Sequence, residues 1–258
     1  MNKNVPFALS FVLVAVVVLL AGCATVDNNA SGDLKKASEL NAELGKQYMV
    51  QGRMEVALFK LEKALRQNPD NGQAHHYLAE FYRRVDDAKK ADEHFRRAME
   101  LLPDDAALAN NYGAFLCSQK KYDHANRLFQ RVLADPVYAR KDQVHENMGL
   151  CAMQAGNIGL AQKHLEAALR MNHRLSKARL AMAQLRYDRG HFEAAYIEYK
   201  RFLEAGQHSA ASLWLGALLE RQRGNMAAAK AYAVKLKVKF PDSSEAQRLR
   251  TLEAQGRF

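Results

Sequence analysis

Residues Asn110–Pro136 have the sequence NNYGAFLCSQKKYDHANRLFQRVLADP, in which two short amphipathic segments flank a polar turn. Apolar residues recur at helical spacing in both segments: Tyr112, Phe115 and Leu116 in the first, and Ala125, Leu128, Phe129 and Val132 in the second. The polar residues Gln119–Lys121 suit a turn in water. Neither helix could bury its apolar face alone, so the unit requires similar neighbours.

Copies of this unit lie on both sides of it. An alanine that opens the second helix recurs at intervals of 34, 34, 36, 34 and 34 residues, as Ala57, Ala91, Ala125, Ala161, Ala195 and Ala229. A small residue precedes each of them: Gly45, Ala79, Gly113, Gly149, Ala183 and Gly216. Proline closes four units, as Pro69, Pro103, Pro136 and Pro241, because it disfavours a helical residue before it. Small residues at fixed offsets predict helices that cross closely.

A 34-residue period with these residue types resembles the tetratricopeptide repeat. The resemblance implies an all-α fold, a right-handed superhelical solenoid of about six helix-turn-helix repeats. Within residues 33–242 we place the repeats at 38–71, 72–105, 106–141, 142–175, 176–208 and 209–242. Residues 243–258 are predicted to form a capping helix, since arrays need a terminal cap with a polar outer face.

Residues 1–22 have the features of a bacterial lipoprotein signal peptide and are left out of fold reasoning. The apolar run Phe7–Leu20 is shorter than the roughly 20 residues of a spanning helix, and it leads into Leu20-Ala21-Gly22-Cys23. Cleavage would leave Cys23 as the acceptor of acyl chains that attach the protein to the membrane. The alternatives are an ordinary secretory signal or an uncleaved anchor.

The residues after Cys23 bear on where the anchor would lie. By resemblance to lipoproteins of double-membraned bacteria, Ala24 favours the outer membrane over the inner one, with the protein facing the periplasm. We expect 23–32 to be the lipidated cysteine and a polar, structureless tether, which would reach at most about 30 Å when extended.

The composition, 48% hydrophobic and 26% charged, is ordinary for a globular domain. The formal net charge of +10 would permit contact with anionic lipid, peptidoglycan, an acidic partner or nucleic acid. The basic residues are scattered over helix faces, and an exported protein rarely meets nucleic acid. A generally basic surface without nucleic-acid binding is the preferred interpretation.

Cys117 and Cys151 lie in the third and fourth units. An exported protein could form a disulfide between them. Their offsets differ, however, since Cys117 is four residues after Gly113 and Cys151 is two after Gly149. We therefore expect them on different faces of neighbouring helices, buried as free thiols.

The sequence lacks the motifs of the common catalytic and metal sites. The histidines include the adjacent pair His75-His76 and the isolated His94, His124, His145 and His164, and none forms a His-Glu-x-x-His motif. There is no Cys-x-x-Cys, Gly-x-Ser-x-Gly or glycine-rich phosphate loop. We predict no catalytic residue, no metal site and no cofactor.

We therefore expect the function to depend on contacts made by the surface of the protein. The first helices of a repeat array line a concave groove that can hold a peptide or a partner's helix. Candidate groove residues, taken by repeat offset, are Ala42, Lys46, Met49, His76, Glu80, Arg83, Asn110, Ala114, Cys117, Glu146, Leu150 and Met153. Asn111 and Asn147, one position further on, are predicted to stabilise the fold and not to contact a partner.

A lipoprotein signal followed by six repeats resembles the PilF/PilW family of type IV pilus biogenesis lipoproteins. The resemblance is carried by Asn110–Leu116 with Gln119–Tyr122, by Val144–Leu150, by Leu236–Pro241, and by the two-residue expansion after Pro136. It implies a pilotin that binds the type IV pilus secretin subunit and promotes its outer-membrane localisation and multimerisation. It also implies delivery by the lipoprotein sorting machinery and membrane attachment through acyl chains on Cys23.

Two other function classes are weighed against the pilotin. One is a periplasmic scaffold lipoprotein for outer-membrane protein assembly or for regulation of a peptidoglycan enzyme. The other is an enzyme with an unrecognised site, which no motif in the sequence favours.

Overall fold

The structure, a computed structural model, describes the backbone of residues 24–258 and the side chains of residues 31–258. The regular elements of this part of the chain are thirteen α-helices. In order they are α1 (Ala24–Val50), α2 (Met54–Gln67), α3 (Gly72–Arg84), α4 (Ala88–Leu101), α5 (Ala106–Ser118), α6 (Tyr122–Ala134), α7 (Lys141–Gln154), α8 (Ile158–Met171), α9 (Ser176–Asp188), α10 (Phe192–Leu203), α11 (Ala210–Gln222), α12 (Met226–Lys239) and α13 (Ser244–Ala254). The predicted all-α fold is confirmed. The predicted signal peptide and Cys23 lie outside the described residues.

The helices form hairpins within two compact units, and the boundary between Leu108 and Ala109 lies inside α5. In the first unit, α1 packs against both α2 and α3, and α3 packs against α4. In the second unit, α7 packs against its partner α8 and against the next first helix, α9, and α9 packs in the same way against α10 and α11. The sequence period therefore corresponds to a hairpin whose first helix contacts two neighbours.

The crossing of each hairpin is built as the small residues predict. The six repeated alanines that open the second helices are fully buried. A Cβ atom added to Gly113 would lie 2.7 Å from Cε1 of Phe129, and one added to Gly149 would lie 2.6 Å from Cγ of Leu165. Glycine at these two positions lets the helices approach until a large side chain of the second helix covers the backbone of the first.

The turn inside each hairpin contains one residue with a left-handed backbone, always five positions before the repeated alanine. Glycine occupies it in four hairpins, with φ of 75° at Gly52 and 77° at Gly156 as examples. Asp86 and Lys120 occupy it in the other two, with φ of 61° and 59°. Because side chains disfavour this region, the fold rather than residue preference holds these two turns in place.

The start of the described chain differs from the expected tether. Instead of an irregular segment, the backbone is helical from Ala24, and α1 runs for 27 residues to Val50. Its first turns extend upstream of the predicted first repeat. A helix rises only about 1.5 Å per residue, so this segment is a short rod with less reach than an extended chain.

The C-terminal helix has the features expected of a cap. The Ser243 hydroxyl accepts a hydrogen bond from the Ala246 backbone N–H at 3.2 Å, which begins α13. Ala246 and Leu249 are fully buried in a cluster with Leu213 and Trp214 of α11. Its exposed residues include Gln247 and Arg248, so the outer face is polar.

Candidate functional site

The twelve predicted groove residues differ widely in exposure. Six are buried: Ala42, Met49, His76, Asn110, Cys117 and Glu146. Four are partly buried, namely Glu80, Ala114, Leu150 and Met153, and two are exposed, Lys46 and Arg83. The buried members contribute mainly to packing between helices, so the exposed and partly buried ones are the candidates for direct contact with a partner.

In the first unit, α1 and α3 border a concavity of about 420 Å³. Its lining includes Lys35, Glu39, Ala42, Glu43, Gln73 and Tyr77. The floor is apolar at Ala42, while amide and charged groups surround it. This combination suits an amphipathic protein segment, whose apolar residues would cover the floor and whose polar groups would meet the rim.

Tyr77 is held at this concavity by two contacts with α1. Its hydroxyl donates a hydrogen bond to Oε2 of Glu43 at 3.4 Å, and Nζ of Lys46 lies 5.3 Å from the centre of its ring. Lys46 also pairs with Glu43 at 3.2 Å. A tyrosine hydroxyl is protonated and able to donate at neutral pH, and burial raises the pKa of Tyr77 further.

In the second unit, two of the predicted groove residues hold helices together. Oε1 of Glu146 accepts a hydrogen bond from the backbone N–H of Ala178 at 2.9 Å, in the first turn of α9. Oδ1 of Asn110 accepts from Nδ2 of Asn147 at 3.1 Å. Glu146 therefore caps the next first helix. Asn110 shares the structural role that the sequence assigned to Asn147.

Two histidine pairs join the helices of their hairpins, and the sequence analysis missed both. The Nδ1 atoms of His75 and His94 are 2.9 Å apart, and those of His145 and His164 are also 2.9 Å apart. Each pair spans 19 residues. Nε2 of His75 lies 3.0 Å from the Pro69 carbonyl. Since a carbonyl can only accept, Nδ1 of His75 is the acceptor and His94 donates.

The corresponding positions of the fifth hairpin contain an ion pair. Nη1 of Arg179 lies 2.5 Å from Oε2 of Glu198, again 19 residues away. Arg201 and Arg186 approach the other carboxylate oxygen at 3.3 and 3.5 Å. The Glu198 side chain is 5% exposed. These positions therefore link two helices through one donor and one acceptor, either imidazoles or charged groups.

The expectation of free thiols is wrong, because Cys117 and Cys151 form a disulfide with their Cα atoms 5.6 Å apart. Different repeat offsets were taken to mean that the two cysteines point away from each other, and the opposite is true. Neighbouring first helices face each other with opposite sides, so residues at equal offsets point the same way and cannot meet. Offsets that differ by two place the side chains about 200° apart around a helix, as a bond between successive repeats requires. This disulfide removes Cys117 as a surface contact.

Comparison with known proteins identifies the family. A tetratricopeptide repeat model matches residues 60–93. The type IV pilus assembly protein PilF of Pseudomonas aeruginosa is 33% identical over 232 residues, covering 88% of this chain and 92% of PilF. An uncharacterized protein of Haemophilus influenzae is 31% identical over 155 residues, which cover 60% of this chain and 87% of that protein.

Two solved structures extend the match to the fold. That of P. aeruginosa PilF has a TM-score of 0.68 and 32% identity, covering 85% of this chain and 99% of that one. The crystal structure of PilW, a widely conserved type IV pilus biogenesis factor, has a TM-score of 0.69 and 30% identity, with coverages of 82% and 97%. The chain belongs to the PilF/PilW family. It is therefore a type IV pilus biogenesis protein built of tetratricopeptide repeats.

The PilF/PilW family uses a non-enzymatic fold for protein–protein interaction. Over the described residues, no group of three or more His, Cys, Asp or Glu side chains is arranged to hold a metal ion. In the same part of the chain, no helix has the length and apolar character needed to cross a membrane. The fold of the family is one for protein–protein interaction, and the concavity beside Tyr77 is the candidate contact surface of the first unit.

Proposed function

We propose that this protein is an outer-membrane lipoprotein that binds the type IV pilus secretin and promotes its outer-membrane localisation and multimerisation. The observation that supports this most is the 33% identity to PilF over 88% of the chain. The lipoprotein pattern at Leu20–Cys23 supplies the anchor, with acyl chains on Cys23 after cleavage.

Secretin binding is assigned to the first unit. The concavity between α1 and α3 offers an apolar floor, the Tyr77 ring, and both signs of charge at Lys35 and Glu43. Lys46 lies beside the Tyr77 ring. Such a surface would hold a secretin segment through apolar burial at the floor and through hydrogen bonds at the rim.

Anchoring and binding act together in this mechanism. The sorting machinery delivers the acylated protein with its bound secretin to the outer membrane. Secretin subunits confined there meet at a higher effective concentration than in free solution, which favours ring closure. Because α1 is helical from Ala24, the binding surface stays close to the membrane that holds Cys23.

The first experiment compares strains with and without the gene, using unboiled envelope fractions probed for the pilus secretin. Loss of the detergent-resistant multimer with monomer still present is the expected result. A normal multimer in the outer membrane of the deletion strain would reject the proposal. Copurification of outer-membrane assembly factors or a peptidoglycan hydrolase in place of the secretin would favour the scaffold alternative.

Two variants then separate anchoring from binding. Cys23→Ser should leave the repeats folded and move secretin multimers to the inner membrane or reduce them. Tyr77→Ala combined with Lys46→Glu should reduce secretin binding while the protein remains in the outer membrane. Lys89→Glu, an exposed residue of α4, is the matched charge control and should behave as the wild type.

A further inference from the structure

Helix α12 has apolar residues on two opposite faces. On the inner face, Ala233 and Leu236 are buried in the cluster that contains Leu213 and Ala246. On the outer face, Ala227, Ala231, Val234 and Val238 follow one another at helical spacing, and all four are exposed. The exposed fractions of Val234 and Val238 are 55% and 73%. The outer apolar residues therefore contribute nothing to the core of this unit.

Comparison among the repeats shows that this outer face is unusual. The four residues lie two before, two after, five after and nine after the repeated alanine Ala229. In the other five second helices, fifteen of the twenty residues at these offsets are charged. In α4, for example, they are Lys89, Glu93, Arg96 and Glu100. The fold thus accepts charge at these positions, and its packing does not explain why α12 has none there.

Lysines border the outer apolar residues on both sides. Around the helix, Lys230 and Lys237 lie on one side of them, and Lys235 and Lys239 lie on the other. Helix α12 contains no acidic residue. Lys237 pairs with Glu253 at 2.8 Å, whereas no ion pair joins Lys230, Lys235 or Lys239 to a carboxylate within residues 31–258. The surface is therefore an exposed apolar strip with positive edges.

We propose that this outer face of α12 is a docking surface for an amphipathic α-helix of another protein, with apolar residues along one side and Asp or Glu bordering them. The short side chains at Ala227 and Ala231 let a partner helix approach closely, and Val234 and Val238 supply the apolar contact. The lysines match acidic borders and select against a basic partner. The proposal does not rest on secretin binding by the first unit.

Charge and side-chain type argue against the two other occupants. Helices that lie in a bilayer surface use Trp, Phe or Leu on the apolar side, whereas this face offers Ala and Val. A second copy that used the same face would bring two sets of lysines together. An acidic helix satisfies both the apolar strip and its borders.

The test uses the full chain with selectively methyl-labelled valine. The probe is a synthetic helical peptide with leucines along one side and glutamates at its borders, and the control peptide has lysine at each glutamate position. We expect the acidic peptide to shift the methyl signals of Val234 and Val238, and the basic peptide to bind at least about tenfold more weakly. Higher salt should weaken the binding of the acidic peptide, because it screens the attraction between lysine and glutamate.

Variants make the assignment specific. Val234→Ser combined with Val238→Ser should weaken binding of the acidic peptide by at least about tenfold. Ile197→Ser is the matched control, because Ile197 has the same offset in α10 as Ala231 in α12 and is also exposed. It should leave binding unchanged. Exposed positions such as these should not affect folding, which far-UV circular dichroism would verify.

Four outcomes would overturn the proposal. The methyl signals could fail to respond to the acidic peptide, or the double valine variant could bind it like the wild type. Alternatively, vesicles of phosphatidylglycerol could shift the two valines when the peptide does not, which would make the face a lipid contact. Finally, shifts that depend on protein concentration without any probe would assign it to self-association.

Discussion

His75 and His94 approach through their Nδ1 atoms to 2.9 Å, and His145 and His164 repeat that contact two hairpins later. Each contact needs one unprotonated nitrogen as acceptor. Burial lowers the pKa of all four imidazoles, to about 4 for His94. Neighbouring cations act in the same direction, Lys90 on His94 and Lys163 on His164.

These pairs predict an acid-sensitive fold. A lowered folded-state pKa means that the histidines contribute full stability above their ordinary pKa near 6.5 and lose it as the pH falls towards 4. Between pH 7.5 and 5, we expect the free energy of unfolding to decrease by about 1–3 kcal/mol from the histidines alone. Urea unfolding followed by circular dichroism at several pH values measures this slope.

Substitution separates the histidine effect from general acid denaturation. His94→Gln combined with His164→Gln should flatten the pH slope, even though both hydrogen bonds are weakened at neutral pH. His191→Gln changes an exposed histidine just before α10 and should leave the slope as in the wild type. Equal slopes for all three proteins would refute the role of the pairs.

Reduction of the disulfide should destabilise the second unit. Cys117 and Cys151 close a loop with a sequence separation of 34, for which the expected loss of stability is about 2–4 kcal/mol. Thermal unfolding with and without reductant measures it. The double variant Cys117→Ser, Cys151→Ser should unfold like the reduced protein and show no response to reductant. Labelling of both thiols in the untreated wild type would contradict the bond.

Two glycines of one hairpin should respond to alanine with opposite signs. Gly149→Ala places a Cβ 2.6 Å from Cγ of Leu165 and should cost about 1–3 kcal/mol through overpacking. Gly159, in the first turn of α8, has nothing within 4 Å of an added Cβ. Gly159→Ala should therefore stabilise the protein by about 0.5–1 kcal/mol through lower chain entropy. Denaturant midpoints compare them directly, and equal signs would be inconsistent with the crossing described above.

Removal of the Glu198 carboxylate should be costly. Glu198→Ala leaves Arg179, whose side chain is 13% exposed, without its partner, and the expected loss is about 3–5 kcal/mol. Glu193→Ala is the control, since that side chain is 77% exposed and its contact with Arg223 is long, at 3.6 Å. It should cost less than about 1 kcal/mol. Similar losses for the two variants in urea titrations would show that burial of the ion pair contributes nothing.

The features that could be predicted from the sequence are those that restrict the residue type at a single position. Where Gly113 meets Phe129, an added Cβ would lie only 2.7 Å from the ring. The equivalent position of every repeat is glycine or alanine, so the period can be read from the sequence. The family resemblance followed from the same repeat pattern. The start of the predicted C-terminal helix at residue 243 depends on a local hydrogen bond, from the Ala246 backbone N–H to the Ser243 hydroxyl.

Contacts between residues that are far apart in the sequence were harder to predict. Histidines are common on helix surfaces, and the pairs His75–His94 and His145–His164 were missed since each was considered alone; their shared spacing of 19 residues was the available signal. The disulfide was missed because equal repeat offsets were taken to mean facing residues. The exposure of a groove residue depends on side-chain packing in its own unit. The repeat offset of Glu146 or Asn110 carries no information about that packing.

The disulfide also changes how the second unit would carry mechanical load. Tension applied along the chain passes directly from α5 to α7 through Cys117 and Cys151, so α6 and its turn are bypassed. If the hairpins are pulled apart, the segment between the cysteines stays closed, and roughly 110 Å of contour length is withheld from extension. The bond therefore sets an upper limit on how far this part of the protein can lengthen under force.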